Sequence, residues 1–176
     1  EEQIGQFLSH RYSEFHLATK CGCTDTWPGR NNSVHVWTRD NLFRGLERSL
    51  RRMKRDSVDI IQLHNATLEE FGSPDMAGPL HEMRRQGRVR WIGVSATLPD
   101  LPTYLRWGEF DVFQIPYSAL EREHEGWITK VGEAGAGVIV RGGVASGEPR
   151  PGLGSSDRWG RFERARLDEL RAEGES

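Results

Sequence analysis

The residues of this sequence best suited to chemistry are polar side chains that stand at the ends of apolar runs. They are Lys20, His64, Ser95, Gln114 and Arg141, and the arginine is followed by Gly142 and Gly143. An arginine beside glycines suits a phosphate, because glycines permit close backbone approach and the guanidinium is a forked donor. A hydroxyl and an amide can bind a neutral carboxamide. One polar strand end is usually a loop contact, whereas five that converge indicate a site.

Five apolar runs, which alternate with helix-like segments, must position these side chains. The runs are EFHLATK (14–20), VDIIQLH (58–64), VRWIGVS (89–95), FDVFQIPYS (110–118) and GVIVRGG (137–143). Continuously apolar strands are typical of a parallel sheet covered by helices. A doubly wound sheet and a (β/α)₈ barrel both fit, but no G-x-G-x-x-G follows the first run, which favours the α/β barrel. In a barrel, the carboxyl ends of the strands surround one mouth.

Helices are predicted between the strands. The first, over 1–10, should place Ile4, Phe7 and Leu8 on one face. Thr38 is a good N-cap for the helix that leads to the second strand. In that helix a single apolar stripe is predicted at Leu42, Leu46, Leu50 and Met53. Further helices are predicted over 76–87, 98–108 and 123–135, each closed by a glycine, and a last one over 160–174.

Composition excludes several classes of protein. With 176 residues and a net charge of −2, the chain is expected to be a single domain over 1–176, with no affinity for nucleic acid. It contains no apolar run of membrane-spanning length and opens on two glutamates rather than a signal peptide, so a cytoplasmic location is expected. Cys21 and Cys23 are closer than a usual zinc-finger pair, with His35 nearby, and are interpreted as reduced thiols without a metal.

Five motifs of the sequence resemble consecutive segments of the aldo-keto reductases, in the order of that family. They are HLATKCG, VDIIQLHN, RWIGVSAT, FDVFQIPYSALER and GVIVRGGVASG. The resemblance implies an enzyme that reduces a small aldehyde or ketone, or oxidises the alcohol, with NAD(P)H and without a metal. NADPH is the more usual cofactor of the family. Its members use a tyrosine as the acid, a lysine that lowers the pKa of the tyrosine, and an aspartate that pairs with the lysine.

The same resemblance implies a role for each strand-end residue. Lys20 matches the lysine beside the catalytic tyrosine, and His64 matches the histidine that orients the carbonyl. Ser95 and Gln114 match the positions that hold the nicotinamide carboxamide. The segment that lies under the nicotinamide and the pyrophosphate is matched by Arg141, Gly142, Gly143 and Val144.

The sequence also departs from the family pattern. Ala96 stands where many members have asparagine, and Arg141 stands where many have an aromatic residue. The aspartate and tyrosine are expected before Glu1, so the chain is interpreted as the central part of a barrel, strands three to seven, and as inactive by itself. Tyr12 precedes the first of these strands and Tyr117 matches a cofactor-side segment, so neither replaces the acid.

Two alternatives remain open. The chain could be a non-catalytic module of the same fold that binds the cofactor or a regulatory partner. It could also be a barrel hydrolase with His64 as the base, which requires a carboxylate at a strand end. Asp59 lies within its strand and Asp111 at the start of its own, so neither qualifies.

Overall fold

A computed structural model describes residues 1–11, 14–24, 34–118 and 121–143 of the chain. The strands are β1 (Ala18–Cys21), β2 (Val58–Leu63), β3 (Val89–Ser95), β4 (Val112–Pro116) and β5 (Gly137–Arg141). The α-helices are α1 (Glu2–Phe7), α2 (Arg39–Met53), α3 (Leu68–Phe71), α4 (Gly78–Arg85), α5 (Leu101–Trp107) and α6 (Glu125–Glu133). A 3₁₀ turn over Pro74–Ala77 precedes α4. Val144 and the predicted helix over 160–174 lie outside the described residues.

The strands form one parallel sheet whose spatial order, β1-β2-β3-β4-β5, equals their order in the chain. In a doubly wound sheet the order reverses at the point where a ligand binds, whereas a (β/α)₈ barrel adds each strand beside the previous one. The sequential order therefore agrees with the predicted barrel and contradicts the doubly wound alternative for the described strands.

The register of the sheet decides which side chains share a face. Lys20 pairs with Gln62, Gln62 with Gly93, Gly93 with Val112, and Val112 with Gly137. Laterally paired residues of parallel strands point to the same face, and every second residue along a strand returns to it. The opposite face carries Ile61, Leu63, Ile92, Val94, Phe113 and Ile115, all buried.

Helix α2 packs on this apolar face through the stripe that its sequence predicts. Leu42, Leu46, Leu50 and Met53 are buried, which confirms the prediction. The hydroxyl of Thr38 accepts a hydrogen bond from the backbone N–H of Asn41, so the predicted N-cap is also confirmed. Helix α2 therefore packs on β1.

Two local predictions are confirmed only in part: helices form within 1–10 and 76–87, but their details differ. Phe7 is 62% exposed, because α1 contacts α2 through Ile4 and Gly5 instead. A Cβ atom on Gly5 would lie 2.0 Å from the carbonyl oxygen of Arg52, so only glycine permits this approach. The helix predicted over 76–87 is split into the 3₁₀ turn and α4, because Pro79 has no N–H to continue the helical hydrogen bonds.

None of the helices in the described part of the chain combines the length and the apolar character needed to cross a membrane.

Candidate active site at the carboxyl ends of the strands

The register places all five predicted strand-end residues on the face that carries Gln62 and Gly93. His64 lies two residues beyond Gln62, Ser95 two beyond Gly93, and Ser95 pairs with Gln114. On β5, Arg141 pairs with Pro116, which lies two residues beyond Gln114. Lys20, His64, Gln114 and Arg141 are half-buried, and Ser95 is buried. Away from the helices, this is the face that a closed barrel would turn inward.

Lys20 is a half-buried cation without a counter-charge in the described part of the chain. No described carboxylate lies within ion-pair distance of its ammonium group. Burial, followed by the positive charge of Arg141, lowers the pKa of Lys20. A cation in this setting is stabilised by any carboxylate or phosphate that approaches it.

His64 shares a proton with a residue that sequence reasoning did not select. Its Nδ1 atom lies 2.9 Å from the Sγ atom of Cys23. Burial, then the charges of His35, Lys20 and Arg141, lowers the pKa of His64 to about 4, and burial raises the pKa of the Cys23 thiol. At neutral pH the thiol therefore donates to Nδ1, and the ring proton of His64 is held at Nε2.

Ser95 and Gln114 form the amide-binding part of the site. The hydroxyl of Ser95 donates to Oδ1 of Asn65, at 3.1 Å. Oε1 of Gln114 is buried and has no hydrogen-bond partner among the described residues. A buried acceptor without a partner is costly, so this atom fits a ligand that brings an N–H group. The carboxamide of a nicotinamide is such a ligand, so the residues present fit the cofactor that the resemblance implies.

Arg141 offers the site a second cation. Its Nε atom is buried and, within the described ranges, has no hydrogen-bond partner. Burial lowers the pKa of Arg141, and the carboxylate of Glu121 opposes this shift. Gly142 follows at φ 72°, a conformation that glycine adopts without strain. The start of the predicted phosphate segment therefore turns sharply after β5, whereas Val144 lies outside the described residues.

At the opposite, amino-terminal ends of the strands, the acidic residues have structural roles. Asp59 accepts a hydrogen bond from the N–H of Leu17 at 2.8 Å, and Asp111 accepts one from the N–H of Ile92 at 2.9 Å. A cavity of about 370 Å³ at this end is lined by residues such as Phe15 and Asp59 and by none of the strand-end residues. Neither aspartate is at the mouth, so neither supplies the carboxylate that the hydrolase alternative requires beside His64.

Residues 1–167 of the chain match the model of the aldo/keto reductase family. The chain is 27% identical over 150 residues to the uncharacterized oxidoreductase YqkF of Bacillus subtilis, covering 84% of this chain and 48% of that protein. It is 29% identical over 121 residues to the NADH-specific methylglyoxal reductase of Escherichia coli, covering 62% of this chain and 36% of that enzyme.

A solved structure of an aldo-keto reductase from Bacillus halodurans, in its holo form, superposes with a TM-score of 0.78 at 28% identity. The superposition covers 99% of this chain and 58% of that one, so the chain spans about half the length of the relatives it matches. The described strands correspond to part of a (β/α)₈ barrel, as predicted. The family match over residues 1–167 shows that the chain belongs to the aldo/keto reductase family, whose members are oxidoreductases that use NAD(P)H.

Proposed function

We propose that this chain contributes one side of the active site of an NAD(P)H-dependent enzyme. The enzyme reduces small aldehydes or ketones, or oxidises the corresponding alcohols. The proposal depends above all on one observation: Lys20, His64, Ser95, Gln114 and Arg141 share one face at the carboxyl ends of adjacent strands. The same side of the sheet therefore presents a cation, a neutral imidazole and two side chains that can bind an amide. This is the arrangement that carbonyl reduction requires, because negative charge develops on the carbonyl oxygen as hydride arrives.

His64 and Lys20 are the proposed catalytic residues of this chain. The neutral His64 ring would donate its Nε2 proton to the carbonyl oxygen and orient the substrate, because the Cys23 thiol occupies Nδ1. The ammonium group of Lys20 would lower the pKa of the tyrosine that protonates the forming alkoxide. When bound, NAD(P)H supplies the hydride.

The cofactor would lie along the other strand ends. Oε1 of Gln114 would accept from the carboxamide N–H group, and the Ser95 hydroxyl, already held by Asn65, would contact the same amide. Arg141 with Gly142, Gly143 and Val144 would lie under the nicotinamide and the pyrophosphate. We propose NADPH rather than NADH because it is the family's usual cofactor, although one relative is named as NADH-specific. Two free cysteines support a reducing, cytoplasmic location.

The catalytic tyrosine does not come from the described mouth. The chain has three tyrosines. Tyr104 is buried in the core, Tyr117 donates to Glu125 at 3.2 Å, and Tyr12 precedes β1 in the chain and lies outside the described residues. We therefore propose that the acid and the aspartate beside Lys20 are contributed by barrel strands outside the described residues. The same observation favours the second candidate, a non-catalytic module that binds the cofactor.

Cofactor binding and turnover, measured separately, distinguish the two candidates. NADPH binding is read from nicotinamide fluorescence, and carbonyl-dependent NADPH oxidation is followed with a panel of aldehydes and ketones. Both are measured on a longer protein in which this chain forms part of a complete barrel. Binding with turnover supports the reductase, binding without turnover supports the module, and absence of NADPH and NADH binding contradicts both.

His64→Gln tests the carbonyl-orienting role within that experiment. We expect turnover to fall by at least about a hundredfold while the affinity for NADPH changes little. His16→Gln is the matched control, because His16 is exposed and lies before β1. If His64→Gln lowers only the midpoint temperature of unfolding and not the turnover, His64 has a structural role and not a catalytic one.

A further inference from the structure

Three side chains beside the mouth bring a soft donor and two imidazoles together. Cys23 and His35 pair across an antiparallel bridge in the loop after β1, and His64 approaches from the end of β2. Their ligand atoms all lie within 4.8 Å of one another. We propose that Cys23, His35 and His64 form a binding site for Zn²⁺ or a chemically similar divalent transition metal.

The donor set selects this class of ion. One thiolate and two imidazoles are the ligands that zinc prefers, whereas Mg²⁺ and Ca²⁺ require oxygen ligands. Tetrahedral zinc with these ligands separates a sulfur and a nitrogen by about 3.6 Å. The Sγ atom of Cys23 and Nδ1 of His64 are 2.9 Å apart, so the two side chains need to separate only slightly. The ion takes the place of the shared proton, which leaves Cys23 for solvent as the metal–sulfur bond forms.

The two described segments that carry Cys23 and His35, residues 22–24 and 34–36, are held together by backbone hydrogen bonds. The N–H of Thr24 donates to the carbonyl of Val34 at 3.0 Å, and the N–H of Val36 donates to the carbonyl of Gly22 at 2.9 Å. The buried side chain of Asn41 donates to both Gly22, at 3.0 Å, and Val36, at 2.8 Å. These bonds fix the two ends of the loop, so two of the three ligands are positioned before an ion arrives.

The ring of His35 is positioned as well. It stacks on Trp37, with ring centroids 5.3 Å apart and planes 19° from parallel. Trp37 is itself buried, and its ring lies against Gly22, where φ is 106°. The ring of His64 stands edge-on to that of His35, with centroids 5.3 Å apart. All three ligands are half-buried, which keeps an approach from solvent while reducing competition from water.

Positive neighbours set the selectivity of the proposed site. Lys20 and Arg141 act on His64, and Arg48 acts on Cys23. These charges oppose any divalent cation, so only an ion that bonds strongly to sulfur and nitrogen should overcome them. We therefore expect binding of Zn²⁺ and Co²⁺ and no binding of Mg²⁺ or Ca²⁺.

Cobalt titration tests the site without any measurement of reductase activity. Reduced protein titrated with Co²⁺ should reach saturation at one equivalent, with a thiolate-to-cobalt charge-transfer band and the visible bands of tetrahedral Co²⁺. Zn²⁺ should displace the cobalt. Cys23→Ser should abolish the charge-transfer band and weaken zinc binding by at least about a hundredfold, and His35→Ala should weaken it similarly.

Cys21→Ser is the matched control. Cys21 is two residues away but buried, and its Sγ atom lies 3.6 Å from the carbonyl oxygen of Gln62, outside the cluster. This variant should keep the cobalt spectrum and the zinc affinity. Zinc should also protect Cys23 of the unaltered protein from alkylation, a measurement that does not depend on how the variants fold.

Three results would overturn the proposal: no saturable Co²⁺ spectrum in the reduced protein, an unchanged spectrum in Cys23→Ser, or alkylation of Cys23 at the same rate with and without Zn²⁺. Failure of this site would leave the proposed reductase function untouched, because the optical titration and the NADPH assays report on different groups.

Discussion

Arg141 contributes to the lowered pKa of Lys20, after burial, although the two residues lie on the outermost strands of the described sheet, β5 and β1. Neighbouring strands are about 4.8 Å apart, so a flat sheet would separate these strands by about 19 Å. Charges in water are largely screened beyond about 8 Å at physiological salt. An influence of Arg141 on Lys20 is expected of a sheet that curls towards a barrel, which is the fold of the solved structure that this chain matches.

The mouth carries two cations, and one of them lowers the pKa of the other. Lys20 and Arg141 direct positive charge to the same volume, and each has a pKa lowered first by burial. Two half-buried cations repel each other, and an anion between or beside them offsets that repulsion. A cofactor pyrophosphate or the carboxylate expected beside the lysine would relieve that repulsion, and both belong to the proposed function.

Lys20→Ala tests the proposed role of this charge. In a longer protein in which this chain forms part of a complete barrel, we expect the rate of carbonyl reduction to fall by at least about a hundredfold. The reason is that the tyrosine loses the cation that lowers its pKa. The affinity for NADPH should stay within about threefold, since Lys20 would act on the acid rather than on the cofactor. Steady-state rates and a fluorescence titration measure the two quantities.

Lys130→Ala is the control for that experiment, because Lys130 is exposed on α6, and it should leave both quantities unchanged. Retained turnover in Lys20→Ala would remove the lysine from the mechanism. A loss of NADPH binding as large as the loss of turnover would instead assign Lys20 to the cofactor.

Much of the fold can be predicted from local patterns in the sequence. The stripe from Leu42 to Met53 and the cap at Thr38 depend only on helical periodicity and on one hydrogen bond. Strand β3 begins and ends where its apolar run does, at Val89 and Ser95. The register then follows from keeping apolar residues on the helix side, and this fixes the face on which the strand-end residues lie.

The remaining features depend on contacts between distant segments. Cys23, two residues after the end of β1, contacts His64 at the end of β2, and no periodicity in either segment predicts this contact. Asn65 accepts from the Ser95 hydroxyl, but it directly follows a strand, and a residue there has many possible partners that the sequence does not distinguish. The exposed Phe7 has a similar cause, since α1 turns the small Gly5 towards α2 for close packing.

The 176-residue chain by itself is expected to show no carbonyl-dependent oxidation of NADPH. Tyr104 is buried in the core, and Tyr117 donates to Glu125 and matches a cofactor-side segment, so we expect neither tyrosine to protonate an alkoxide at the mouth. The measurement is NADPH consumption at high concentrations of chain and carbonyl, compared with a complete aldo-keto reductase. Turnover by the chain would mean that the acid is assigned to the wrong part of the protein.

Gln114→Met separates the stability of the protein from its affinity for the cofactor. Removing a buried acceptor that has no described partner should raise the free energy of unfolding, by up to about 1–3 kcal/mol. The same change should weaken NADPH binding about tenfold, because one hydrogen bond to the carboxamide is lost. Urea denaturation and a fluorescence titration measure the two effects.

The matched control for Gln114→Met is Gln62→Met. Oε1 of Gln62 is also buried without a partner among the described residues, but Gln62 lies deeper on the same face, before His64. This variant should raise stability and leave NADPH affinity unchanged. If Gln114→Met gained stability and kept full affinity, Gln114 would not contact the nicotinamide.

Gly93→Ala tests the packing of the inward face. A Cβ atom on Gly93 would lie 2.6 Å from the carbonyl oxygen of Val112 and 3.3 Å from Cγ of Gln62. The first contact is with strand backbone, which cannot move without disturbing the pairing of β3 with β4. We expect a loss of about 1–3 kcal/mol in the free energy of unfolding, measured by urea denaturation.

Gly132→Ala makes the same chemical change where the structure leaves room for it. A Cβ atom at this position in α6 meets nothing within 4 Å. Alanine is favoured over glycine in a helix by about 0.5–1 kcal/mol, so this variant should be more stable than the unaltered protein. Opposite signs for the two variants would establish that crowding between β3 and β4, rather than backbone entropy, selects glycine at position 93. If Gly93→Ala were as stable as Gly132→Ala, the close approach of β3 and β4 on the inward face would be wrong.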